Sequence, residues 1–119
     1  MSINIEDLAG MDFSDIADMG EERIGPNHPG VLLDEILEEL EMSQAEFART
    51  IGVSPMRVSH VIKGTRPVTA ELALLFGRAF QQTPEFWLGL QVAYDLSEAT
   101  KGLGGRLESV RALPVRMVA

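Results

Sequence analysis

A short polar stretch, residues 54–66, holds the side chains of this chain that are best suited to recognition chemistry. Arg57 and His60 are three residues apart, which would place them on one side of an α-helix, with Met56 beside them. A guanidinium can donate two hydrogen bonds to O6 and N7 of guanine, an imidazole can donate to a purine acceptor, and a thioether can lie against a thymine methyl group. The three residues therefore predict a face that reads base edges in a DNA major groove.

Polar and basic side chains around this face could donate hydrogen bonds to phosphate oxygens. They are Gln44, Ser54, Ser59, Lys63, Thr65 and Arg66. Phosphate contacts fix the position of a protein on a duplex, whereas base contacts read its sequence. The alternative interpretation is an ordinary solvent-exposed helix face that happens to carry cations.

The distribution of charge decides whether DNA binding is plausible, because the net charge of the chain is −8. Residues 1–41 contain twelve acids and one base, residues 42–80 carry a charge of +3, and residues 81–119 are neutral. A phosphate backbone senses charges within a Debye length of about 8 Å, so the local patch matters more than the total. The middle of the chain is the basic part.

A capping box predicts the start of the helix that precedes the reading face. Ser43 is followed by Glu46, so the hydroxyl and the carboxylate can each accept a hydrogen bond from the other residue's backbone N–H. The helix should end at Gly52, since glycine readily adopts the left-handed conformation of a helix end. Its inward side chains are Phe47, Ala48 and Ile51.

The reading helix itself should begin after Ser54, a preferred capping residue, with Pro55 at its first position, and should end before Gly64. Its expected buried side chains are Val58, Val61 and Ile62. Two helices that cross over a short turn containing glycine, with a small residue such as Ala48 at the crossing, form a helix-turn-helix. A helical hairpin with no DNA-binding role could share this register by chance.

Three more helices are predicted around this pair. The first runs from Pro29 to about Glu41, the fourth follows Thr69, and the fifth follows Thr83. Their apolar side chains recur at helical spacing: Leu32, Leu33, Ile36, Leu37 and Leu40; then Leu72, Leu75, Phe76 and Ala79; then Phe86, Trp87, Leu90 and Tyr94. The opposite face of the first helix is acidic, with Asp34, Glu35, Glu38, Glu39 and Glu41, and must point away from DNA. We therefore expect an all-α, five-helix domain over residues 26–100.

The two ends of the chain are less regular. Residues 1–25 form an acidic N-terminal arm, either disordered or a short amphipathic helix that binds a partner. Residues 101–119 form a tail in which Gly102, Gly104 and Gly105 should break helical continuity. For the rest of this tail we expect a short strand or an extended dimer arm.

Residues 28 to about 99 resemble the HigA-type antitoxins of the Xre/Cro, lambda repressor-like, helix-turn-helix family. The motifs that carry the resemblance are His28-Pro29-Gly30, Ser43-Gln44-Ala45-Glu46, Thr83-Pro84-Glu85-Phe86-Trp87-Leu88, Leu90-Gln91 and Tyr94-Asp95-Leu96. The resemblance implies a homodimer that binds an operator palindrome in its own promoter. It also implies a partner, a small basic mRNA-cleaving toxin of the HigB/RelE type, which the acidic N-terminal third would attract. The alternative is a stand-alone repressor of the same family with no toxin.

Other functions are disfavoured by composition. The chain has no cysteine and only two histidines, so we expect no disulfide, no metal site and no cofactor, and no enzyme. Grouping Glu35, Glu38 and Glu39 as a carboxylate metal site is unattractive because no loop would converge them. The apolar runs are too short for a membrane helix, and the acidic start is unlike a secretory signal, so a cytoplasmic location is expected.

Overall fold

Five α-helices make up the part of the chain that the computed structural model describes, residues 25–116. They are α1 (Pro29–Glu39), α2 (Gln44–Ile51), α3 (Pro55–Ile62), α4 (Ala70–Phe80) and α5 (Pro84–Leu103), and a 3-10 turn follows at Gly104–Arg106. The all-α, five-helix prediction is confirmed. The acidic arm predicted before residue 25 lies outside the described residues. Between residues 25 and 116, no helix has the length and apolar character required to cross a membrane.

The caps expected from the sequence are present at the helix starts. The Ser43 hydroxyl accepts from the N–H of Glu46 at 3.1 Å, and the Glu46 carboxylate accepts from the N–H of Ser43 at 3.1 Å. The hydrogen bond from the Ser43 backbone, and then that from its side chain, lower the pKa of the Glu46 carboxyl. The Ser54 hydroxyl accepts from the N–H of Arg57 in α3, and the Thr69 hydroxyl accepts from the N–H of Leu72 in α4, each at 3.2 Å.

Replacing Ser43 with alanine tests how much the capping box contributes to stability. The change leaves the N–H of Glu46 without its side-chain acceptor, and we expect it to lower the free energy of unfolding by about 1 kcal/mol. Thr83→Ala is the matched control, because Thr83 is the capping residue of α5 but its side chain makes no capping hydrogen bond. Urea unfolding followed by circular dichroism measures both. Equal losses in the two variants would show that the capping box contributes nothing specific.

An aromatic cluster fills the core where α2, α4 and α5 meet. Phe47 stacks on Phe80 with ring centroids 5.3 Å apart, and the ring of Phe76 meets the edge of Trp87 at 5.0 Å. Trp87 is fully buried, and its indole N–H donates to the side-chain oxygen of Gln82. A buried indole N–H needs such a partner, so the hydrogen bond fixes the ring in the core.

The buried face of α4 differs from the prediction. Ala79 is exposed and Leu75 is half-buried, whereas Phe80 and Ala73 are buried. The inward stripe of α4 therefore runs through Leu72, Phe76 and Phe80, at a spacing of four, and Leu75 and Ala79 lie on the adjacent stripe. The packing of Phe80 on Phe47 selects this stripe, since both stripes have helical spacing.

Helix α1 lies against α3 and α5, and its Leu33, Ile36 and Leu37 are buried in the core. The helix ends at Glu39, two residues earlier than predicted, because Leu40 is its capping residue and Glu41 has a left-handed backbone with φ of 54°. The acidic side chains of α1 remain on the surface. Asp34, Glu35, Glu38, Glu39 and Glu41 are all exposed.

The C-terminal tail departs from the predicted boundary and conformation. Helix α5 continues through Gly102 to Leu103, so the boundary placed at residue 100 falls inside the helix. The helix ends at Gly104, whose φ of 53° is one that glycine adopts without steric cost. Residues 107–116 form turns and irregular backbone with no strand, and the extended dimer arm expected as the alternative stays a prediction.

Candidate nucleic-acid interface

Helices α2 and α3 cross over a three-residue turn, Gly52-Val53-Ser54. Gly52 has a left-handed φ of 77°, and its N–H donates to the carbonyl of Ala48 at 2.8 Å. The N–H of Val53 donates to the same carbonyl at 3.0 Å. Ala48 is fully buried at the crossing, where a larger side chain would force the helices apart. The glycine and the small residue therefore have the structural roles that the sequence predicts.

One side of α3 is anchored in the core by Val58 and Val61, each 1% exposed. Ile62, which was also predicted to be buried, is only half-buried at the end of the helix and packs on the edge of the core. Because the helix is short, two valines at a spacing of three suffice to fix which of its sides faces outward.

The three residues predicted to read bases occupy the first two turns of α3. Met56 is 66% exposed, and the side chains of Arg57 and His60 are partly exposed. Met56 is too exposed for its side chain to serve as core packing. The predicted base-reading residues are therefore accessible on one short helix.

The residues predicted to contact phosphate lie at the start of α2, on α3 and its two capping positions, and in the loop after α3. Gln44 is half-buried at the first position of α2, and Ser59 is half-buried on α3. The Ser54 oxygen accepts from the N–H of Arg57, so only its O–H is free to donate to a phosphate. The remaining members of the set, Lys63, Thr65 and Arg66, are exposed.

The loop after α3 is tied to the helix by one carbonyl group. The His60 oxygen accepts from the backbone N–H groups of Thr65 and Arg66 at 3.0 and 3.2 Å, and from the Thr65 hydroxyl at 3.2 Å. Thr65 and Arg66 are thus held beside the turn that carries His60. This connection keeps the loop in a fixed position relative to α3.

Gln91, which the sequence interpretation assigned no site role, fastens the far end of the loop to α5. Its side-chain oxygen accepts from the N–H of Val68 at 2.7 Å, and its amide nitrogen donates to Asp95 at 2.9 Å. The side chain is buried, so both of its polar ends are satisfied inside the protein. The sequence signals for Gln91 were its place in the Leu90-Gln91 motif and its polar side chain among the apolar residues of this helix.

His28 fastens the start of α1 to the same region. Its Nδ1 accepts from the N–H of Gly30 at 2.9 Å, and its ring meets the edge of the Tyr94 ring at 5.1 Å. Burial lowers the pKa of the imidazole, while the backbone of Arg66 and the charge of Asp95 act in the opposite direction. The neutral ring is therefore the form that caps the helix, since Nδ1 must be unprotonated to accept.

The His28 interaction predicts a pH dependence of stability. Because the pKa of His28 is lower in the folded state, the unfolded chain binds the proton more readily. The free energy of unfolding is therefore greatest above pH about 6.5, and it falls as the pH drops through the folded-state pKa of His28. His28→Asn keeps a capping side chain that does not titrate in this range. Urea unfolding at pH 7.5 and pH 5.5 should show a steeper loss for the wild type than for the variant. Parallel losses would show that His28 makes no contribution to the pH dependence.

An ion pair involves one of the predicted reading residues. The Arg57 guanidinium donates from Nη2 to Oε1 of Glu71, the second residue of α4. The sequence interpretation missed Glu71, because the two residues lie on different helices and only the packing of α4 brings them together.

Comparison with known proteins places this arrangement in a class. A family model described as helix-turn-helix matches residues 33–88. Among curated proteins, the virulence-associated protein A' of Dichelobacter nodosus is 39% identical over 74 residues, which cover 61% of this chain and 64% of that protein. The fold and the matched residues define a helix-turn-helix DNA-binding domain.

Solved structures narrow the class. The addiction module antidote protein of the HigA family from Coxiella burnetii is 38% identical, with a TM-score of 0.73, over 76% of this chain and 99% of that one. The Pseudomonas aeruginosa antitoxin HigA, solved with the higBA promoter, is 34% identical, with a TM-score of 0.70, over 76% and 99% of the two chains. The chain belongs to the HigA-type branch of the Xre/Cro helix-turn-helix family, which consists of DNA-binding proteins rather than enzymes.

Proposed function

We propose that this protein is a sequence-specific DNA-binding antitoxin that represses its own operon and neutralises a HigB/RelE-like toxin. The observation that carries the DNA-binding part is α3, which is held from behind by Val58 and Val61 and presents Met56, Arg57 and His60 on its accessible side. An α-helix of this kind fits the major groove of DNA. A related antitoxin has been solved with promoter DNA, which supports the same role here.

We assign base contacts and phosphate contacts to different residues according to the chemistry of their side chains. Met56, Arg57 and His60 contact base edges, and the flanking polar residues contact phosphates. The phosphate contacts are assigned to Gln44, Ser54, Ser59, Lys63, Thr65 and Arg66. The local positive charge of residues 42–80 supports this assignment.

Binding to a palindrome requires two copies of the chain. Val92 and Leu96 on α5 are 53% and 63% exposed, and Leu107, Val110, Leu113 and Val115 in the tail are also exposed. This number of exposed apolar side chains on one helix and the tail that follows it favours an interface. In the dimer, the two copies of α3 would enter major grooves about 34 Å apart. Light scattering at micromolar concentration should give twice the 13.0 kDa mass of the monomer.

The toxin part of the proposal is supported by charge and by family. The exposed acidic side of α1 and the acidic composition of residues 1–41 would attract a basic RNA-cleaving protein. Acidic surfaces also keep proteins soluble, so the charge alone does not separate an antitoxin from a stand-alone repressor. A partner protein that binds the chain would distinguish an antitoxin from a stand-alone repressor.

One experiment tests both parts. The chain is co-expressed with the product of the adjacent gene, purified, and assayed for binding to the intergenic DNA with and without that product. A small basic protein that co-purifies and loses RNA cleavage in the complex supports the antitoxin. Specific DNA binding with no partner would favour the stand-alone repressor, and no specific DNA binding would refute both.

A further inference from the structure

A carboxylate lies beside the reading face of α3, where an anion is unexpected. The Arg57–Glu71 ion pair joins the first turn of α3 to the first turn of α4, across 14 positions of sequence. Between residues 25 and 116 the other ion pair is Lys101–Glu98, within α5. Within the described residues, Arg57 is therefore the cation of α3 that forms an ion pair with a carboxylate.

Folding stability is not a sufficient reason for this pair. The side chains of Arg57 and Glu71 are 41% and 66% exposed, so water and salt screen their attraction. Exposed ion pairs of this kind contribute little to the free energy of folding. The pair also has a cost for a DNA-binding protein, because a carboxylate next to the duplex repels phosphates. A functional reason is needed to offset that cost.

The geometry of the guanidinium supplies the reason. A guanidinium has five N–H donors in one plane, so the hydrogen bond to Glu71 leaves the others free and restricts the orientation of the plane. The O6 and N7 acceptors of guanine require a defined orientation, whereas phosphate oxygens accept from many directions. The carboxylate also offsets the charge of Arg57, which weakens its attraction to phosphates at any sequence.

We propose that Glu71 is a positioning residue that sets the specificity of DNA reading, by holding Arg57 for one G·C base pair and reducing its attraction to phosphates elsewhere. Glu71 acts through Arg57, so this inference rests on the base-reading role proposed above for Arg57. Removing the carboxylate should make Arg57 less selective rather than make the protein bind DNA less.

The test begins with duplexes that the wild-type protein selects from a randomised pool. Dissociation constants are then measured for the selected duplex, for its single base-pair variants and for a scrambled duplex. For Glu71→Gln we expect the ratio of scrambled to selected dissociation constants to fall about 10-fold, with the loss concentrated at one G·C pair. In an Arg57→Ala background, the same change should cause no further loss at that pair.

Glu98→Gln is the matched control, because it removes one negative charge and one exposed ion pair on α5, away from the reading helix. Its ratio of scrambled to selected dissociation constants should equal that of the wild type. Thermal unfolding should show that all variants are folded. The inference is overturned if Glu71→Gln strengthens binding to selected and scrambled duplexes by the same factor, or if Glu98→Gln loses as much preference. A wild type that selects no sequence would overturn the proposed function itself, and this inference with it.

Discussion

The double substitution Arg57→Ala and His60→Ala is expected to weaken binding to the selected duplex by about 100-fold. Each good base contact is worth about 1–3 kcal/mol of discrimination, and about 1.4 kcal/mol corresponds to a factor of ten. Binding to a scrambled duplex should change by only a few-fold, because the substitutions remove a single full cation and leave the phosphate contacts in place. Gel shifts or fluorescence anisotropy at one fixed salt concentration measure both quantities.

Lys101→Ala is the control for this experiment. It removes one cation from α5, where Lys101 pairs with Glu98, and should leave specific binding unchanged. The assignment of the reading face fails if the double variant keeps wild-type discrimination. It fails equally if Lys101→Ala loses as much specific binding, since charge alone would then account for the effect.

Gly30→Ala is expected to destabilise the protein strongly, although it adds only one methyl group. A Cβ atom at Gly30 would overlap the carbonyl oxygen of Val61 and lie 2.8 Å from its carbonyl carbon and 2.9 Å from Cα of Ile62. These atoms belong to the backbone of α3, so they cannot move aside as the end of a side chain can. Overpacking of this kind costs about 3 kcal/mol. Because the displaced element is the reading helix, operator binding should fall as well.

Gly102→Ala is the matched control, since Gly102 also lies in a helix but an added Cβ would meet nothing within 4 Å. Its free energy of unfolding should be unchanged or raised by up to about 1 kcal/mol, because alanine favours the helix. Urea unfolding measures both variants. A Gly30→Ala protein as stable as Gly102→Ala would show that α1 and α3 are not in close backbone contact.

Local chemistry explains which structural features were predictable. The capping residues Ser43, Ser54 and Thr69 act on amides within three positions of themselves, so the sequence contains the whole interaction. The same holds for Gly52, whose left-handed φ closes a turn of adjacent residues. His28 was predicted to belong to the motif that opens α1, but its contact with Tyr94 depends on α5.

Features that involve two helices were missed or misplaced. The choice of Phe80 over Ala79 as a buried residue of α4 depends on the ring of Phe47, which lies on α2. Helix α5 passes through Gly102 because a single glycine costs only about 1 kcal/mol in a helix, and the break comes at Gly104, whose φ is positive.

By itself, the amino-acid sequence determined the five helices, the helix-turn-helix register and the residues predicted to contact DNA bases. These depend on periodicity and on contacts between near neighbours in the chain. Only the tertiary structure decided that Gly30 lies on the backbone of α3, that Gln91 holds the loop at Val68, and that Glu71 reaches Arg57. Each of these contacts joins residues far apart in sequence, whose distance is set by how the helices pack and not by any pattern along the chain.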